Sequence, residues 1–335
     1  MKPRIVNIMA DNQLGGVKVT INGLVNSYLA TEFDFKVILL KQEPLNIINL
    51  INLRPNIIIC HQASRFKYSP SLLLMKLLIN SAKIIILEHH YSQSYEQFNI
   101  SDIIRFHRML KLNYSLANRV VAISQAQAKW MMKNLLIDSN KLTFIRQCIP
   151  TEKLLAIQPL PRKEPLSLGA YGRFCNQKGL DTLVKALKLI QHLPIKLYIG
   201  GEGSQGKELK QLAQGLKNIE FVGRIDNVPS FLQAVDIVVI PSRWEPWGFV
   251  CLEARAAGKP IIAADVDGLT EQVQNCGLLI PPDDPEALAG AIEQVVSLPQ
   301  TQLQTWGSNG RESVRGAWEQ YLSQWRSLLW EVIKK

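Results

Sequence analysis

Short runs of apolar, β-branched residues alternate along this chain with stretches whose apolar residues recur at helical spacing. The runs predict strands at Arg4–Met9, Phe35–Leu40, Asn56–Cys60, Lys83–Leu87 and Arg119–Ile123 in the first half. In the second half they predict strands at Leu166–Tyr171, Ile195–Ile199, Ile219–Val222, Ile237–Ile240, Pro260–Ala263 and Gly277–Ile280. Strands this apolar, separated by helices, belong in parallel sheets covered on both faces. The clearest helix is expected from Asp181 to Gln191, with Leu180, Leu183, Leu187 and Ile190 as its stripe and Asp181 as its N-cap. Three prolines between Ala156 and Pro165 read as a linker. The expected architecture is therefore α/β, with one doubly wound, Rossmann-like unit over 1–155 and another over 156–316. Two such units facing across a cleft place their ligands at the carboxyl ends of the strands.

Composition narrows the class. The chain has 335 residues, 47% hydrophobic and 20% charged, which suits two globular domains and excludes disorder. Its five cysteines are odd in number and show neither C-x-x-C spacing nor a neighbouring histidine at zinc-finger spacing. That pattern argues against a disulfide framework or structural zinc and fits a reducing cytoplasm. The segment Arg4 to Ala10 reads as a first buried strand, not as a leader. The longest apolar stretch, Ser71 to Leu87, is broken by Lys76, Asn80, Ser81 and Lys83, and falls short of a spanning segment.

Charge adds a direction. The net +10 sits entirely in residues 1–150, which hold 18 Lys and Arg against 8 Asp and Glu. That half is expected to meet something anionic: a membrane surface, a lipid phosphate or a nucleic acid. Arg105, Arg108 and Lys111 recur at helical spacing, interleaved with Ile104, Phe106, Met109 and Leu110. Such a helix reads equally as a membrane-surface element or as a solvated basic face.

Candidate chemistry concentrates in the second half. Tyr171-Gly172-Arg173-Phe174-Cys175-Asn176-Gln177-Lys178-Gly179 follows a strand and opens a helix. Arg173 offers a planar fork of donors and Lys178 a compact cation, which together suit a diphosphate leaving group. Taken alone, they read equally well as two solvated surface cations. After the strand Ile237–Ile240 comes Ser242-Arg243-Trp244-Glu245-Pro246-Trp247-Gly248-Phe249-Val250-Cys251-Leu252-Glu253. Glu245 precedes a helix and Glu253 lies within it. The N–H groups around Gly248, Phe249 and Val250 would be open at the helix start to phosphate oxygens or sugar hydroxyls. One carboxylate such as Glu253 has acceptor sites enough for both hydroxyls of a ribose. The bland alternative is a capping acid followed by a solvated helix acid.

These pieces resemble the nucleotide-sugar-binding domain of the family-four retaining glycosyltransferases. The resemblance runs in order through Gly172-Arg173, Lys178-Gly179-Leu180-Asp181, Phe221-Val222-Gly223 and Ala234 to Ser242. It continues through the E-x7-E motif from Glu245 to Glu253, then Ala257-Gly258-Lys259-Pro260 and Gly277 to Pro282. It implies the GT-B fold, with the closing helix from about Ala317 to Lys335 crossing back to the first domain. It also implies retaining transfer from a nucleotide-sugar, expected to be a UDP-sugar, to a glycan or lipid-linked acceptor, with no cofactor and no metal. On this resemblance Arg173 and Lys178 hold the donor diphosphate, Glu245 lies against the sugar, the Gly248–Phe249 backbone meets sugar and phosphate, and Glu253 holds the ribose.

The first half says less. Gly15-Gly16 follows the first strand and could bring backbone close to the donor phosphate or the acceptor, or simply turn the chain. Glu88-His89-His90 ends a strand, and the family usually has one histidine there. His89 is the expected one, as a catalytic residue beside Glu245, Arg173 and Lys178, with His90 close behind. His61 also ends a strand and is expected toward the acceptor side. Two motifs point elsewhere. Gly201-x-Gly203-x-x-Gly206 fits a dinucleotide fingerprint, and Asp265-Val266-Asp267 resembles a metal-binding D-x-D but reads as a loop. The competing functions are a nucleotide-sugar epimerase, which would act without an acceptor, and a nucleic-acid binder. No aromatic-basic motif supports the latter, so no nucleic acid is expected.

Overall fold

The alternation of apolar runs and helices produces two six-stranded, all-parallel sheets. A computed structural model describes residues 2–9, 15–39, 47–158 and 164–334. The first sheet contains β1 (Arg4–Met9), β2 (Asp34–Leu39), β3 (Ile57–Cys60), β4 (Lys83–Glu88), β5 (Arg119–Ala122) and β6 (Leu142–Phe144), in the order β2-β1-β3-β4-β5-β6. The second contains β7 (Leu166–Tyr171), β8 (Ile195–Gly200), β9 (Ile219–Gly223), β10 (Ile237–Ile240), β11 (Ile261–Ala264) and β12 (Gly277–Ile280), in the order β12-β11-β10-β7-β8-β9. Each predicted strand is present, with ends moved by a residue or so. β6 was not predicted, because three partly buried residues at a sheet edge are too few to carry a period.

The chain folds as two compact units. One is Met1–Pro150 with Trp318–Lys335, and the other is Thr151–Ala317. The short helix Glu152–Leu155 packs in the second unit, against the helix Phe249–Ala256. Each sheet is covered on both faces by helices, which is why its central strands carry unbroken apolar runs. Ile57 to Cys60 of β3 and Ile237 to Ile240 of β10 are buried throughout. The core of the second unit joins Leu168, Leu197, Ile199 and Val239 to Leu183, Leu187 and Ile292. That of the first joins Ile58, Ile84 and Ile86 to Leu110, Tyr114 and Trp130.

The expected helix after β7 needs a correction. It runs Leu180–Leu189, and its N-cap is Gly179, not Asp181. Asp181 lies in the first turn, where its carboxylate is taken by the guanidinium of Arg243 and not by the backbone.

The last helix, Ala317–Lys334, packs in the first unit. Trp318 lies over Gly23, where a Cβ would sit 2.8 Å from the indole. Arg326 and the Trp330 indole both donate to Glu32, at 2.7 and 2.9 Å, and Arg119 donates to Glu331 at 2.7 Å. Trp325 is 1% exposed. Among the described residues no helix is long and apolar enough to cross a membrane. Truncating the buried indole in Trp325→Ala should cost about 3–5 kcal/mol. In thermal or urea unfolding followed by limited proteolysis, the fragments of the first unit should be released earlier than in the unaltered chain.

Candidate functional site

The second sheet reverses its winding between β7 and β10, which are neighbours in space but not in sequence. Loops leaving the carboxyl ends of two such strands diverge and leave a crevice, the usual ligand position in this kind of sheet. β7 ends at Tyr171 and runs into Gly172-Arg173; β10 ends at Ile240 and runs into Pro241-Ser242-Arg243-Trp244-Glu245.

Tertiary hydrogen bonds lock the two loops together. The Arg243 N–H donates to the Gln177 carbonyl at 2.8 Å, and the Gln177 amide donates to the Trp244 carbonyl at 3.1 Å. The Arg243 guanidinium grips Asp181 through both carboxylate oxygens, at 2.9 and 2.8 Å, and also donates to the Asn176 carbonyl and to Asp283. Burial opposes the charge on Arg243, but the two carboxylates outweigh it and raise its pKa. Gly179 permits the close approach. Its φ is +59°, and a Cβ there would lie 2.0 Å from the Pro241 carbonyl oxygen.

This clamp brings Lys178 and Glu245 into a direct ion pair between their side chains. Ser242 donates to the same Glu245 oxygen at 3.3 Å. On the other side the Glu245 N–H donates to Asp267 at 3.1 Å, and its carbonyl accepts the Gly268 N–H at 3.1 Å. Glu245 is thus fixed at its backbone and its tip.

The helix Phe249–Ala256 begins immediately after, capped by Gly248 at φ +98°. The N–H groups of Phe249 and Val250 lie in its first turn, where helical geometry supplies them no partner. Gln272 supports the turn from below by donating to the carbonyls of Trp247 and Gly248, while its own carbonyl accepts from Arg255 at 3.3 Å. Glu253 sits one turn into the helix and accepts the Tyr171 hydroxyl at 2.6 Å. Burial pushes the Glu253 carboxyl up to about 7; the Tyr171 hydrogen bond and the charge of Lys178 pull the other way.

The expected donor residues of the second half therefore share one end of one sheet. Arg173 is exposed there and donates to Gln177 at 3.3 Å. Tyr171, Arg243, Asp267 and Gln272 were not anticipated as site residues. Only Asp267 carried a signal, as part of the D-x-D look-alike. It is the first residue of a helix, Asp267–Gln272, and not part of a loop. The glycine fingerprint serves packing. The Phe174 N–H donates to the Glu202 carbonyl at 2.8 Å, and a Cβ on Gly201 would sit 1.8 Å from the Gly172 carbonyl oxygen. Those glycines let the loop after β8 lie directly on the loop after β7.

Gly15, Gly16, His61 and His89 belong to the other unit. Gly15 and Gly16 open the helix Gly15–Val25, and the residues leading into it, 10–14, lie outside the described ones. His61 and His89 leave adjacent strands, β3 and β4, and stack with ring centroids 5.4 Å apart. His61 Nε2 meets the Asn7 carbonyl oxygen at 2.9 Å, and His61 Nδ1 meets His89 Nε2 at 3.1 Å. Burial drives both pKa values down, that of His61 to about 3, so both rings are neutral. With the His61 proton on Nε2 toward Asn7, the His89 proton lies on Nε2. His89 Nδ1 then carries a lone pair, and it is buried with no hydrogen-bond partner among the described residues. Glu88, next in line, is buried and accepts from the Tyr114 hydroxyl at 3.0 Å and from the N–H groups of His90 and Tyr91.

Residues 152–313 match the model of the family described as glycosyl transferases group 1. Over this stretch, a little under half of its length, the chain is similar to that family. A glycogen synthase of Mycobacterium tuberculosis is 34% identical over 168 residues, covering 48% of this chain and 41% of that enzyme. The chain spans less than half the length of the curated relatives it matches. Whole-chain similarity comes from solved structures. A sucrose-phosphate synthase from Thermosynechococcus elongatus superposes with a TM-score of 0.81 at 22% identity, over 99% of this chain and 100% of that one. An Anabaena protein solved with UDP and glucose gives a TM-score of 0.77 at 19% identity, over 97% and 98%. At these identities the likeness speaks for the fold, two Rossmann-like units of the GT-B class.

A raised carboxyl has a definite signature. Glu253 stabilises the fold most below the ordinary carboxyl pKa of 4.5, and that contribution is lost as pH rises through about 7. A carbon-13 NMR titration of the ligand-free protein should find this carboxyl ionising near 7. Tyr171→Phe, which removes the donor to the charged form, should move the inflection upward.

Proposed function

We propose that the protein is a retaining, metal-independent glycosyltransferase that moves a sugar from a UDP-sugar to a glycan or lipid-linked acceptor in polysaccharide or glycolipid assembly. One observation carries the reading: the Lys178–Glu245 pair stands at the switch point, beside the open first turn of the helix Phe249–Ala256 and the Tyr171-held Glu253. Arg173, whose contact to Gln177 is long and exposed, and Lys178 take the diphosphate. Their two charges stabilise the phosphate as it leaves, the task a divalent cation performs in other transferases. Lys178 turns from Glu245 to phosphate when donor enters, and Glu245 then meets the sugar hydroxyls. The N–H groups at Gly248, Phe249 and Val250 take phosphate or sugar oxygens. Glu253, ionised, accepts the ribose hydroxyls.

In the first unit, Gly15 and Gly16 offer a helix start to the donor phosphate, and His89 offers its Nδ1 lone pair, unpartnered among the described residues, to a sugar hydroxyl. The reaction breaks the anomeric C–O bond to the donor phosphate and forms a glycosidic bond to the acceptor oxygen with retention, and the leaving phosphate receives the proton of the acceptor hydroxyl. The UDP assignment is supported by the Anabaena protein's bound UDP, and the polysaccharide setting by the glycogen synthase relative. The basic first half suits a cytoplasmic enzyme working on the anionic inner face of a membrane.

The assay is release of UDP from a panel of UDP-sugars, with and without acceptors. Lys178→Ala should lower turnover on the order of 10²–10³-fold, the usual cost of losing one preorganised charge or donor at a transition state. Wild-type turnover in that variant would overturn its leaving-group role. Glu245→Gln should lose turnover while keeping UDP affinity within a few fold. UDP affinity itself should rise as pH passes upward through about 7, following ionisation of Glu253. In a thermal-shift panel the true donor should raise the melting temperature, by about 2.7 kcal/mol of stabilisation at a hundredfold excess over Kd.

A further inference from the structure

We propose that the first unit docks on an anionic phospholipid surface through the helix Ser69–Leu78 and a cationic pocket beside it. The inference rests on the membrane setting of the reading above but not on its chemistry. The helix is apolar nearly all the way round. Leu72, Met75 and Ile79 face the core at 3, 1 and 5% exposure, whereas Leu73, Leu74, Leu77 and Leu78 are 45, 47, 63 and 53% exposed. At about 100° per residue the four exposed leucines cover one continuous sector of roughly 140°. A soluble helix ordinarily turns polar residues to that side, and a contiguous uncovered leucine face marks a contact surface.

Lys76 lies on the edge of this sector, between the buried and exposed faces. It also borders a pocket of about 370 Å³ whose polar lining is Lys76, Lys83, Asn118, Arg119, Asn140 and Lys141. Lys83 opens β4, Arg119 opens β5 and Lys141 immediately precedes β6, so the pocket lies at the amino ends of these strands. His61 and His89 lie at the opposite, carboxyl ends, so the pocket is separate from them. Within it Arg119 donates to Glu331 and Lys141 to the Ser115 carbonyl at 3.3 Å. Lys76 and Lys83 make no ion pair among the described residues. Four cations against one carboxylate suit a phosphodiester headgroup.

A soluble phosphate would use the pocket but leave the leucines uncovered. A lipid uses both, with acyl chains under the leucine face and phosphate between the lysines, the combination typical of interfacial helices. The basic excess of residues 1–150 supplies the longer-range attraction. The amphipathic basic helix of the sequence reading, Ile103–Leu116, packs alongside, with Ser69 donating to Asn113 at 3.2 Å.

The test is co-sedimentation of the full chain with vesicles of phosphatidylcholine alone or with 30% phosphatidylglycerol (about that fraction, enough to set a negative surface potential). Binding is expected to the anionic vesicles only and to weaken with salt. Leu74→Glu/Leu77→Glu and Lys76→Ala/Lys83→Ala should each weaken it about tenfold or more, while UDP release stays unchanged. Retention of binding in the leucine variant would overturn the docking face. So would saturable binding of inorganic pyrophosphate without vesicle binding, which makes the pocket a soluble-anion site. Dimerisation abolished by the leucine variant, again without vesicle binding, would make the ridge an interface between copies. Vesicle binding without any sugar transfer would leave this proposal standing and sink the transferase reading instead.

Discussion

The grip of Arg243 on Asp181 and Asp283 is the constraint on which the second unit's site depends. A parallel sheet that reverses its winding leaves two loops with nothing in common except their exit from neighbouring strands. Arg243 ties them together with charge-assisted hydrogen bonds to side chains and a backbone hydrogen bond to Gln177. Gly179 then lets the backbones come closer than any side chain would permit. Lys178 and Glu245 meet because those two loops are held. The site is preorganised by residues that need not touch a ligand at all.

Burial sets the electrostatic character of both units. In the second unit it raises the Glu253 carboxyl to about 7, so the group stands near the balance between proton donor and acceptor. In the first unit the same cause acts on imidazole with the opposite sign and keeps His61 and His89 neutral. Neutrality makes the pair directional. Asn7 orients His61, His61 orients His89, and the relay ends on a lone pair without a partner among the described residues. Glu88, buried one residue before, is likewise raised to about 7 by desolvation despite its several donors.

Much of this was legible in the residue pattern because the responsible forces are local or periodic. Central strands such as β3 and β10 are buried on both faces and apolar throughout, so they stand out; β6, short and at an edge, does not. Arg173 follows the end of β7, and Lys178, Glu245 and Glu253 fall in motifs that run in a fixed order along the chain, which is why these four could be picked out. Arg243 sits in the middle of that same stretch and was passed over, because acid partners 62 and 40 residues away leave no mark on an arginine's neighbours. Asp181 shows the reverse error. As an acid at the start of a helix it reads as a cap, yet the tertiary partner outcompetes the backbone.

The amino-acid sequence by itself determined two parallel-sheet units, the charge asymmetry between them and the order of the motifs along the second. These follow from hydrophobic period, composition and spacing, which are properties of a chain before it folds. Only the tertiary structure decided which polar groups meet: Lys178 with Glu245, Tyr171 with Glu253, His61 with His89, and Arg243 with two acids from separate segments. It also decided that the glycine fingerprint packs one loop on another, and that the leucines of Ser69–Leu78 divide between a core face and an open one. Such pairings depend on distances between segments far apart in the chain, and only the closed fold sets those distances.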